Sequence, residues 1–530
     1  MEGGDTVQRG NEGGRGLEVC QPQFAAGFSE GVNAISTERG SAPVDLQAPP
    51  GSPRTPMLTT PRFRHAMLIG LLACLIPTAS SPAAEPVAEA SPPSLATRAG
   101  EDWPSFLGPR GDGTSSLAEI PLPWPDSGPR IVWHAEMGEG YGAPAVALGR
   151  IVLFDRVGNQ ARLRCLHAET GEPLWEVSDP TDYRDTFGYD GGPRCCPVIA
   201  GDRVLTFAAD GLLTCRSLAD GSTLWQIDTT TAYHVVQNFF GVGAAPLVID
   251  APTDTAPSRQ LVIVPIGGSE PGSEPPAPER LDLVKGAGSG VVAFDLADGS
   301  EVWRTSDELA SYSSPVLTTL GGRPRLLTWL REQLLSLDPA TGRETGSFRW
   351  RADELFSVNA ANPVVLRDAA DDEQVLLSET YGPGAVLLDV ASTPRGDTFT
   401  PVWTSPKGAR PYATLKAHWA TPVVHDGHLY GTSGRNAGDA QLVCVAIATG
   451  EVRWAERGLA RASVVLAGEQ LLVIGEFGEV LVVKATPEAY TPLAEATLTD
   501  PDTGTPLLAP PCWAAPVIAR GYAYLRGAGR

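Results

Sequence analysis

The 530-residue chain is short of basic residues, and this shortage excludes two classes of partner. Lysine and arginine number 40 against 62 aspartates and glutamates, which gives a formal net charge of −22. Nucleic acids and anionic membranes both attract clusters of Lys and Arg. No apolar run reaches the roughly 18 residues that a transmembrane helix needs. We therefore expect no nucleic-acid partner and no membrane span.

Catalytic and metal-binding signatures are also missing from the sequence. The seven histidines have no metal-ligand spacing, and we find no Gly-x-Ser-x-Gly, Walker, Cys-x-x-Cys or His-Glu-x-x-His motif. Charged residues make up only 19% of the chain, whereas Gly (58) and Pro (48) are abundant. Because Gly and Pro favour turns and interrupt helices, this composition predicts many turns and few helices.

The N-terminal hundred residues lack the periodicity of a folded domain. Residues 1–61 are rich in Gly, Pro and Ser, and we interpret them as a disordered or mis-annotated leader. Residues 62–84 contain basic residues, then an apolar run, then small residues, which are the three parts of a secretory signal peptide. Residues 85–101 have the composition of a flexible linker. We therefore expect an exported protein, either periplasmic or extracellular.

The rest of the chain is built from a repeat of about fifty residues. A phrase of the form apolar-x-apolar-x-x-x-x-Gly-x-x-x-Trp covers Cys165–Trp175, Cys215–Trp225, Ala293–Trp303 and Cys444–Trp454. A second phrase, a small residue followed in most copies by Pro and then by β-branched residues, begins near residues 143, 196, 245, 314, 362, 421, 462 and 515. Alternating apolar residues and Thr-Gly or Asp-Gly turns predict four short strands in each unit. The Trp of the fourth strand should pack on the neighbouring unit.

Eight such units predict an all-β, eight-bladed β-propeller across residues 102–530, because a single four-stranded unit cannot bury both of its faces. The last unit has only two recognisable strands, whereas a spare fourth-strand phrase lies at residues 131–136. We predict that these residues pair with residues 512–527, which would close the ring and cover the edge strands. The eighth blade would then still lack its third strand.

The repeated phrases resemble those of the PQQ-type (quinoprotein) β-propeller superfamily, which includes the quinoprotein alcohol dehydrogenases and the outer-membrane assembly lipoprotein BamB. The lead-in Asp102–Gly113 is similar to the opening of uncharacterised secreted bacterial propellers of this type. The resemblance implies the fold but leaves the activity open. We expect first a non-enzymatic scaffold that binds a protein, peptide or glycan partner. The alternatives are a PQQ-dependent oxidoreductase and a BamB-like assembly factor, which would need a lipid anchor at Cys74.

The resemblance also directs attention to the adjacent cysteines Cys195 and Cys196. In quinoprotein alcohol dehydrogenases a vicinal disulfide lies against the cofactor ring, and an oxidising compartment would permit the same bridge here. Alternatively, the two cysteines fill positions where other units have Ala, Ser or Thr. PQQ would also require Ca²⁺, for which Glu379, Asn359 and Asp190 are candidate ligands, although none lies in a phrase that matches the dehydrogenases. We expect no cofactor, with PQQ and calcium as the alternative.

The connections from each fourth strand to the next first strand are long and rich in aromatic and polar residues. By the period of the repeat they should all emerge at one mouth of the central channel, and loops on a rigid scaffold commonly carry recognition. Alternatively, their aromatic residues plug the channel and stabilise the ring. The candidate mouth residues are Tyr183, Arg184, Tyr189, Arg194, Tyr233, His234, Asn238, Asn359, Tyr412, Lys416 and His418.

Overall fold

The structure is a computed structural model that describes residues 94–251, 259–367, 370 and 372–529. The predicted leader (1–61), the predicted signal peptide (62–84) and the first part of the predicted linker lie outside the described residues. Leu95 is fully buried in a core that it shares with the first and last sheets, so the packed part of the chain already includes residues before 102. In the part of the chain that the structure describes, no helix has the length and apolar character needed to cross a bilayer.

Nearly all the regular structure is β-strand. The strands are β1 (Thr114–Ser115), β2 (Ala145–Ala147), β3 (Arg150–Val157), β4 (Gln160–His167), β5 (Pro173–Pro180), β6 (Val198–Ala200), β7 (Arg203–Phe207), β8 (Leu212–Ser217), β9 (Thr223–Asp228), β10 (Leu247–Ala251), β11 (Arg259–Pro265), β12 (Val291–Asp295), β13 (Glu301–Thr305), β14 (Val316–Leu320), β15 (Arg323–Trp329), β16 (Gln333–Leu337), β17 (Glu344–Arg349), β18 (Val364–Arg367), β19 (Glu373–Glu379), β20 (Gly384–Thr393), β21 (Gly396–Thr404), β22 (Val423–His425), β23 (His428–Ser433), β24 (Gln441–Ala446), β25 (Val452–Glu456), β26 (Ser463–Ala467), β27 (Gln470–Ile474), β28 (Glu479–Lys484), β29 (Pro492–Thr497), β30 (Val517–Ala519) and β31 (Tyr522–Tyr524). One α-helix, α1 (Thr229–Tyr233), and 3₁₀ turns at Leu95–Thr97, Leu281–Leu283 and Pro411–Ala413 also occur in the described residues.

The strands form a succession of antiparallel sheets, which we number as blades 1 to 8. Blades 1 to 7 each contain four consecutive strands: β2–β5, β6–β9, β10–β13, β14–β17, β18–β21, β22–β25 and β26–β29. Blade 8 is the hairpin β30–β31, and β1 extends blade 7 through parallel pairing with β26. This succession is the eight-bladed β-propeller that the repeat predicts.

In several blades a tryptophan of the fourth strand forms a hydrogen bond to the next blade. Trp175, in β5, donates its indole N–H to Leu218 O over 2.9 Å, in the turn of blade 2. The same bond recurs at Trp225–Leu296, Trp303–Pro339, Trp403–Ile447 and Trp454–Thr486. A Cβ atom built on Gly221 of that turn would lie 2.7 Å from the Trp175 ring. The turn therefore requires Gly both for its φ of +77° and for the space that the indole occupies.

The residue before the first-strand proline provides a second link between several blades. Ser314 Oγ accepts a hydrogen bond from Ala245 N at 2.9 Å, and Asn362 Oδ1 accepts one from Ser314 N at 2.8 Å. Thr421 Oγ1 in turn accepts a bond from Asn362 N at 2.9 Å. A buried N–H without a partner is costly. In these blades a short polar side chain of one blade accepts the hydrogen bond of a buried backbone N–H in the preceding blade.

The two ends of the described chain meet at blade 8. Trp133 donates its indole N–H to Ala168 O at 2.9 Å and lies over Gly171, as the fourth-strand tryptophans do in other blades. Strand β30 lies against β2, and residues of blades 1, 7 and 8 share one core. One correction concerns residues 131–136, which form no strand. The described part of blade 8 has no third strand, so the backbone of these residues has no ladder to join.

Candidate functional site

Aromatic residues from the connections between blades pack into one cluster, which we call the aromatic plug. It consists of Tyr141, Phe187, Tyr189, Phe239, Phe240, Tyr312, Phe356, Trp419 and Trp513. The Phe187 ring lies 5.9 Å from the Phe356 ring, and Trp513 lies 5.0 Å from Trp419. Tyr189 joins the two ends of the cluster, with its ring 5.9 Å from Trp513. Because these residues precede blades 1 to 6 and blade 8, the connections converge at one mouth of the channel.

Part of the plug follows a position in the repeat that our sequence search did not use. Three residues before the first-strand proline stand Tyr141, Arg194, Tyr312, Trp419 and Trp513. Each of these side chains is a member of the plug or lies over one of its rings. The search by phrases treated each connection as a whole, and of these five residues only Arg194 is among the predicted mouth residues. Aligning the residues before each proline would have found them.

Three arginines lie over rings of the plug, Arg194, Arg331 and Arg461, and the first and last of them form close ion pairs with an acid. Arg194 donates to Asp185 Oδ2 at 2.8 Å and lies over adjacent tyrosine rings. Arg461 lies 4.7 Å from the centre of the Trp513 ring and forms an ion pair with Glu476. Burial raises the pKa of Glu476, but hydrogen bonds and charge from Arg461 outweigh burial and lower the pKa overall. The cation–π contacts and ion pairs hold these rings in place.

Three buried polar atoms in and beside the plug have no hydrogen-bond partner among the described residues: His418 Nδ1, Trp419 Nε1 and Trp513 Nε1. The His418 and Trp419 rings lie 4.6 Å apart and Trp419 contacts Trp513, so the three atoms belong to one patch. Burial, together with the charges of Arg435 and Arg461, lowers the pKa of His418 to about 3. The imidazole is therefore neutral at pH 7. A buried donor without a partner costs about 1–3 kcal/mol.

The outer surface of the plug is apolar and partly exposed. Phe187 and Phe356 are 40% and 43% exposed, although their rings contact each other. Beside them lies a cavity of about 370 Å³, and Tyr183, Arg184 and Asn238 are among its lining residues. Exposed aromatic side chains held on a rigid scaffold are typical anchors in protein–protein recognition.

The structure brings most of the predicted mouth residues together. Tyr183, Arg184 and Asn238 line the cavity, whereas Tyr189, Arg194 and His418 belong to or contact the plug. Asn359 is also nearby, but it is buried, and its amide donates to the carbonyls of Leu330 and Arg331 at 2.8 and 3.1 Å. Asn359 therefore holds the connection in shape rather than facing a partner.

Four predicted mouth residues have no ring contact or hydrogen bond with the plug among the described residues: Tyr233, His234, Tyr412 and Lys416. Tyr233 OH donates to Glu301 Oε2 at 2.7 Å, so this side chain points toward the outer strand of blade 3. His234 ends α1 and is exposed, and Tyr412 is 51% exposed. The sequence placed these residues in the right connections, but it could not give the direction of each side chain.

Cys195 and Cys196 are both buried thiols in the structure. Cys195 Sγ donates to Ala244 O at 3.1 Å. Burial raises the pKa of Cys196 to about 12 and that of Cys195 well above its ordinary value. Both are therefore protonated at neutral pH. The vicinal disulfide stays a prediction, which mass spectrometry of the unreduced protein would test.

The candidate calcium ligands do not form a suitable set of donors. Glu379 accepts hydrogen bonds from Ser357 Oγ at 3.0 Å and Gly382 N at 2.9 Å, and burial raises the pKa of its carboxyl group. Asp190 accepts a bond from Gly140 N at 3.0 Å. Both carboxylates are thus engaged by the chain itself. In the described ranges no group of three His, Cys, Asp or Glu side chains is arranged to hold a metal ion.

Comparisons with solved structures find similar folds at low sequence identity. BamB from Moraxella catarrhalis is 14% identical over 72% of this chain and 90% of its own, with a TM-score of 0.45. Quinohemoprotein alcohol dehydrogenase from Comamonas testosteroni is 13% identical over 80% of this chain and 77% of its own, with a TM-score of 0.39. A europium-containing methanol dehydrogenase is 12% identical over 81% and 90%, with a TM-score of 0.39. No curated protein matches the chain.

The comparison with protein families is more specific. The family described as outer membrane protein assembly factor BamB matches residues 125–268 and 247–486, which together make up more than half of the chain. The matched region runs from the segment before Trp133 to the end of β28, the third strand of blade 7. The chain therefore belongs to this PQQ-type, BamB-like family of β-propellers.

Proposed function

We propose that the protein is a non-enzymatic scaffold that binds a protein or peptide partner at the channel mouth. The observation that carries this proposal is the contact between the exposed rings of Phe187 and Phe356. These rings come from the connections before blades 2 and 5, so they form one apolar surface over the plug. Covering such side chains is favourable at roughly 25 cal/mol per Å² of apolar area removed from water.

The geometry of the two rings favours a peptide over a glycan. Their planes meet at 72°, edge to face, so they do not form the flat platform on which a sugar ring stacks. A protein side chain can instead enter the angle between them. The cavity lined by Tyr183, Arg184 and Asn238 offers polar groups beside this apolar surface, and a mixture of aromatic anchors and polar contacts is typical of interfaces between proteins.

Photo-crosslinking in living cells tests this proposal. A photoreactive phenylalanine analogue is placed at Phe187, at Phe356 or, as a matched control, at Leu224, which is 46% exposed on the outer strand β9. We expect one discrete adduct from both mouth positions and none from the control position. Phe187→Asp should weaken capture at position 356 by about 30-fold or more, the effect of losing a hot-spot residue. Adducts that are equal at all three positions would contradict the proposal.

Export is part of the same proposal. The order of basic, apolar and small residues over 62–84 supports a cleaved signal peptide. We expect the mature protein to begin near Glu85 and to lie in the periplasm or outside the cell. N-terminal sequencing of the protein from its host tests this. A cytoplasmic product that begins at Met1 would contradict it.

Membership in the BamB-like family favours a second candidate, a role in outer membrane protein assembly. If this is correct, the partner captured at the mouth is a component of the assembly machinery. Deletion of the gene should then lower the amounts of several outer membrane proteins. The Phe187→Asp variant should fail to restore them, whereas Leu224→Asp should succeed.

A PQQ-dependent oxidoreductase is the remaining alternative, and the donor set described above does not fit its calcium ion. We expect the purified protein to retain no quinone after incubation with PQQ and Ca²⁺ and to reduce no dye with alcohols or sugars. Retained quinone absorbance together with turnover would replace the scaffold proposal by an enzymatic one.

A further inference from the structure

Blade 6 has an excess of positive charge on the side of the channel mouth. Three segments carry it: the connection before the first strand of the blade (405–421), the turn between its second and third strands (434–440) and the connection after its fourth strand (457–462). Together they contain six Lys and Arg residues but only one acid, Asp439. The whole chain has 40 basic residues against 62 acidic ones. Positive charge is therefore concentrated at one place on a strongly acidic protein.

The fold brings these three segments against each other. Lys416 N donates to Ser433 Oγ, and Lys416 O accepts from Gly434 N, both at 2.9 Å. The 3₁₀ turn Pro411–Ala413 lies against β24 and β25. Strand β25 in turn ends one residue before Arg457. Basic side chains that are distant in the sequence therefore lie on one surface.

Most of the positive charges on this surface have no counter-charge among the described residues. Five of the side chains form no ion pair and no hydrogen bond there, and we call them the basic patch: Lys407, Arg410, Lys416, Arg435 and Arg457. The sixth, Arg461, pairs with Glu476. Asp439 accepts a hydrogen bond from Asn436 N at 2.8 Å, and Glu456, next to Arg457, forms no ion pair with it. Unpaired like charges held close together repel each other and attract an acidic ligand.

The basic patch is continuous with the aromatic plug. The Arg435 guanidinium lies 4.2 Å from the centre of the Tyr381 ring. The Tyr381 ring lies 5.7 Å from that of His418, which in turn contacts Trp419 of the plug. Tyr412, in the 3₁₀ turn of the patch, adds an exposed aromatic side chain. A partner at the mouth therefore meets apolar rings and unpaired cations side by side.

The size of the patch and the charge around it restrict the occupant. Nucleic acids and anionic membranes carry negative charge over areas wider than the loops of one blade, so the rest of this chain, which is acidic, would repel them. A second copy of the chain would bring its own net charge of −22. Exposed charges interact over only about 8–10 Å at physiological ionic strength. A short acidic segment of another protein is thus attracted by the patch without being repelled by the remainder.

We propose that the basic patch binds an acidic segment of the partner protein at the channel mouth. In this partner an apolar anchor contacts Phe187 and Phe356, and several Asp or Glu residues beside the anchor lie over blade 6. The charges orient the partner and speed its association, whereas the rings provide most of the affinity. This inference rests on the proposed function, because it specifies the chemistry of the same partner.

Photo-crosslinking at Tyr412 tests the inference. A photoreactive phenylalanine analogue replaces Tyr412 in the full chain in living cells, and mass spectrometry of the adduct identifies both the captured protein and the captured segment. We expect the protein that is captured at Phe187 and Phe356, joined through a segment in which Asp and Glu outnumber Lys and Arg. Capture of a segment without this excess, of a segment of this chain, of a nucleic acid or of a lipid would overturn the inference.

Charge reversal provides a second measurement. Lys407 and Arg410 are exposed, and their side chains have no partner in the described residues, so Lys407→Glu together with Arg410→Glu should fold like the parent. The double variant should lower capture at Phe356 about tenfold, because repulsion replaces attraction. The matched control is Arg343→Glu together with Arg395→Glu, at exposed residues in the turns before β17 and β21. It changes the net charge equally and should leave capture within about twofold of the parent.

The outcomes separate this inference from the proposed function. Capture at Phe187 and Phe356 without capture at Tyr412 would overturn the inference and leave the proposed function standing. The same holds if charge reversal leaves capture unchanged, or if the reversed variant and its control lose capture equally, since an equal loss reflects net charge alone. The lack of a discrete adduct at all three positions would overturn both.

Discussion

Blades 6 and 8 contain the same tyrosine–tryptophan pair, but among the described residues a strand lies between the two positions in blade 6 and not in blade 8. Tyr430 and Trp454 flank Cys444, whereas Tyr524 and Trp133 have an open cavity between their backbones. The ring separations nevertheless differ by only 0.1 Å, at 6.0 and 6.1 Å. The position of each tryptophan is therefore set by the next blade, through its indole hydrogen bond and a second contact, which is Gly171 for Trp133 and the ring of Tyr490 for Trp454. It does not require the strand inside its own blade.

This comparison explains how the two ends of the described chain can meet although the described part of blade 8 contains only two strands. Trp133 bonds to Ala168 O in blade 1, and Trp454 bonds to Thr486 O in blade 7. Tyr524 adds a second bond to the same carbonyl of Ala168, at 3.1 Å. Side chains at the rim therefore join the two ends of the described chain.

The largest expected effect concerns the two tryptophans. Trp133→Ala should lower the free energy of unfolding by about 3 kcal/mol, and Trp454→Ala should lower it by a similar amount, because each removes a large apolar side chain and its bond to the next blade. Trp133→Phe retains a ring and should cost about 1 kcal/mol. Urea unfolding of the three variants measures these values. The two tryptophans are not equivalent if Trp133→Ala lowers the free energy of unfolding by less than half as much as Trp454→Ala does.

A smaller effect, on the pH dependence of stability, distinguishes the connection before blade 6 from the connection before blade 8. His418 and Cys512 occupy the same position, four residues before the first-strand proline. Burial lowers the pKa of His418 to about 3, so below about pH 6.5 only the unfolded chain binds a proton there, and stability falls as the pH falls. At pH 5 the loss is about 2 kcal/mol. Burial raises the pKa of Cys512 to about 12, so it stays neutral in this range.

Urea unfolding at pH 7.5 and pH 5 measures the contribution of His418. His418→Gln should reduce the loss of stability between the two pH values by about 2 kcal/mol. His234→Gln, at an exposed residue, serves as the control and should leave the loss unchanged. Equal pH dependence of the parent and the His418→Gln variant would show that the plug does not exclude water from this ring.

The smallest effect distinguishes the two tyrosines. Tyr524 OH donates to Ala168 O, whereas Tyr430 OH has only the thiol of Cys444, a weak hydrogen-bonding group, beside it. Tyr524→Phe should therefore cost about 1 kcal/mol, and Tyr430→Phe should cost less, because the interaction that it removes is weaker. The same urea titrations check this pair. A larger loss for Tyr430→Phe would show that its hydroxyl has an acceptor in solution.

Much of the fold could be predicted from the sequence because the same residue types recur at the same positions in most repeats. Trp175 and Gly221 lie in different blades, yet both stand at fixed positions of the phrase, so their contact follows from the period. The proline phrase similarly located each first strand. Residues 131–136 were the exception. A fourth-strand phrase there predicted a strand, but pairing depends on a neighbour in space that the local sequence does not describe.

The site was predicted less well than the fold. The connections are irregular, and which side chains meet over the channel depends on their lengths and turns. Arg194 and His418 were identified from composition, and they do lie at the plug. Tyr233 was identified in the same way, but its side chain faces Glu301 because α1 turns it outward. Composition thus identified the face of the molecule but not the orientation of each residue.

Hydrogen exchange at two backbone amides tests the account most directly. Leu429 in blade 6 pairs with Val445 of the third strand, whereas the matching residue Ala523 in blade 8 has an open edge. We predict slow exchange at Leu429 and fast exchange at Ala523 in the 530-residue chain. Equally slow exchange at both amides would contradict the difference between the edges of β23 and β31.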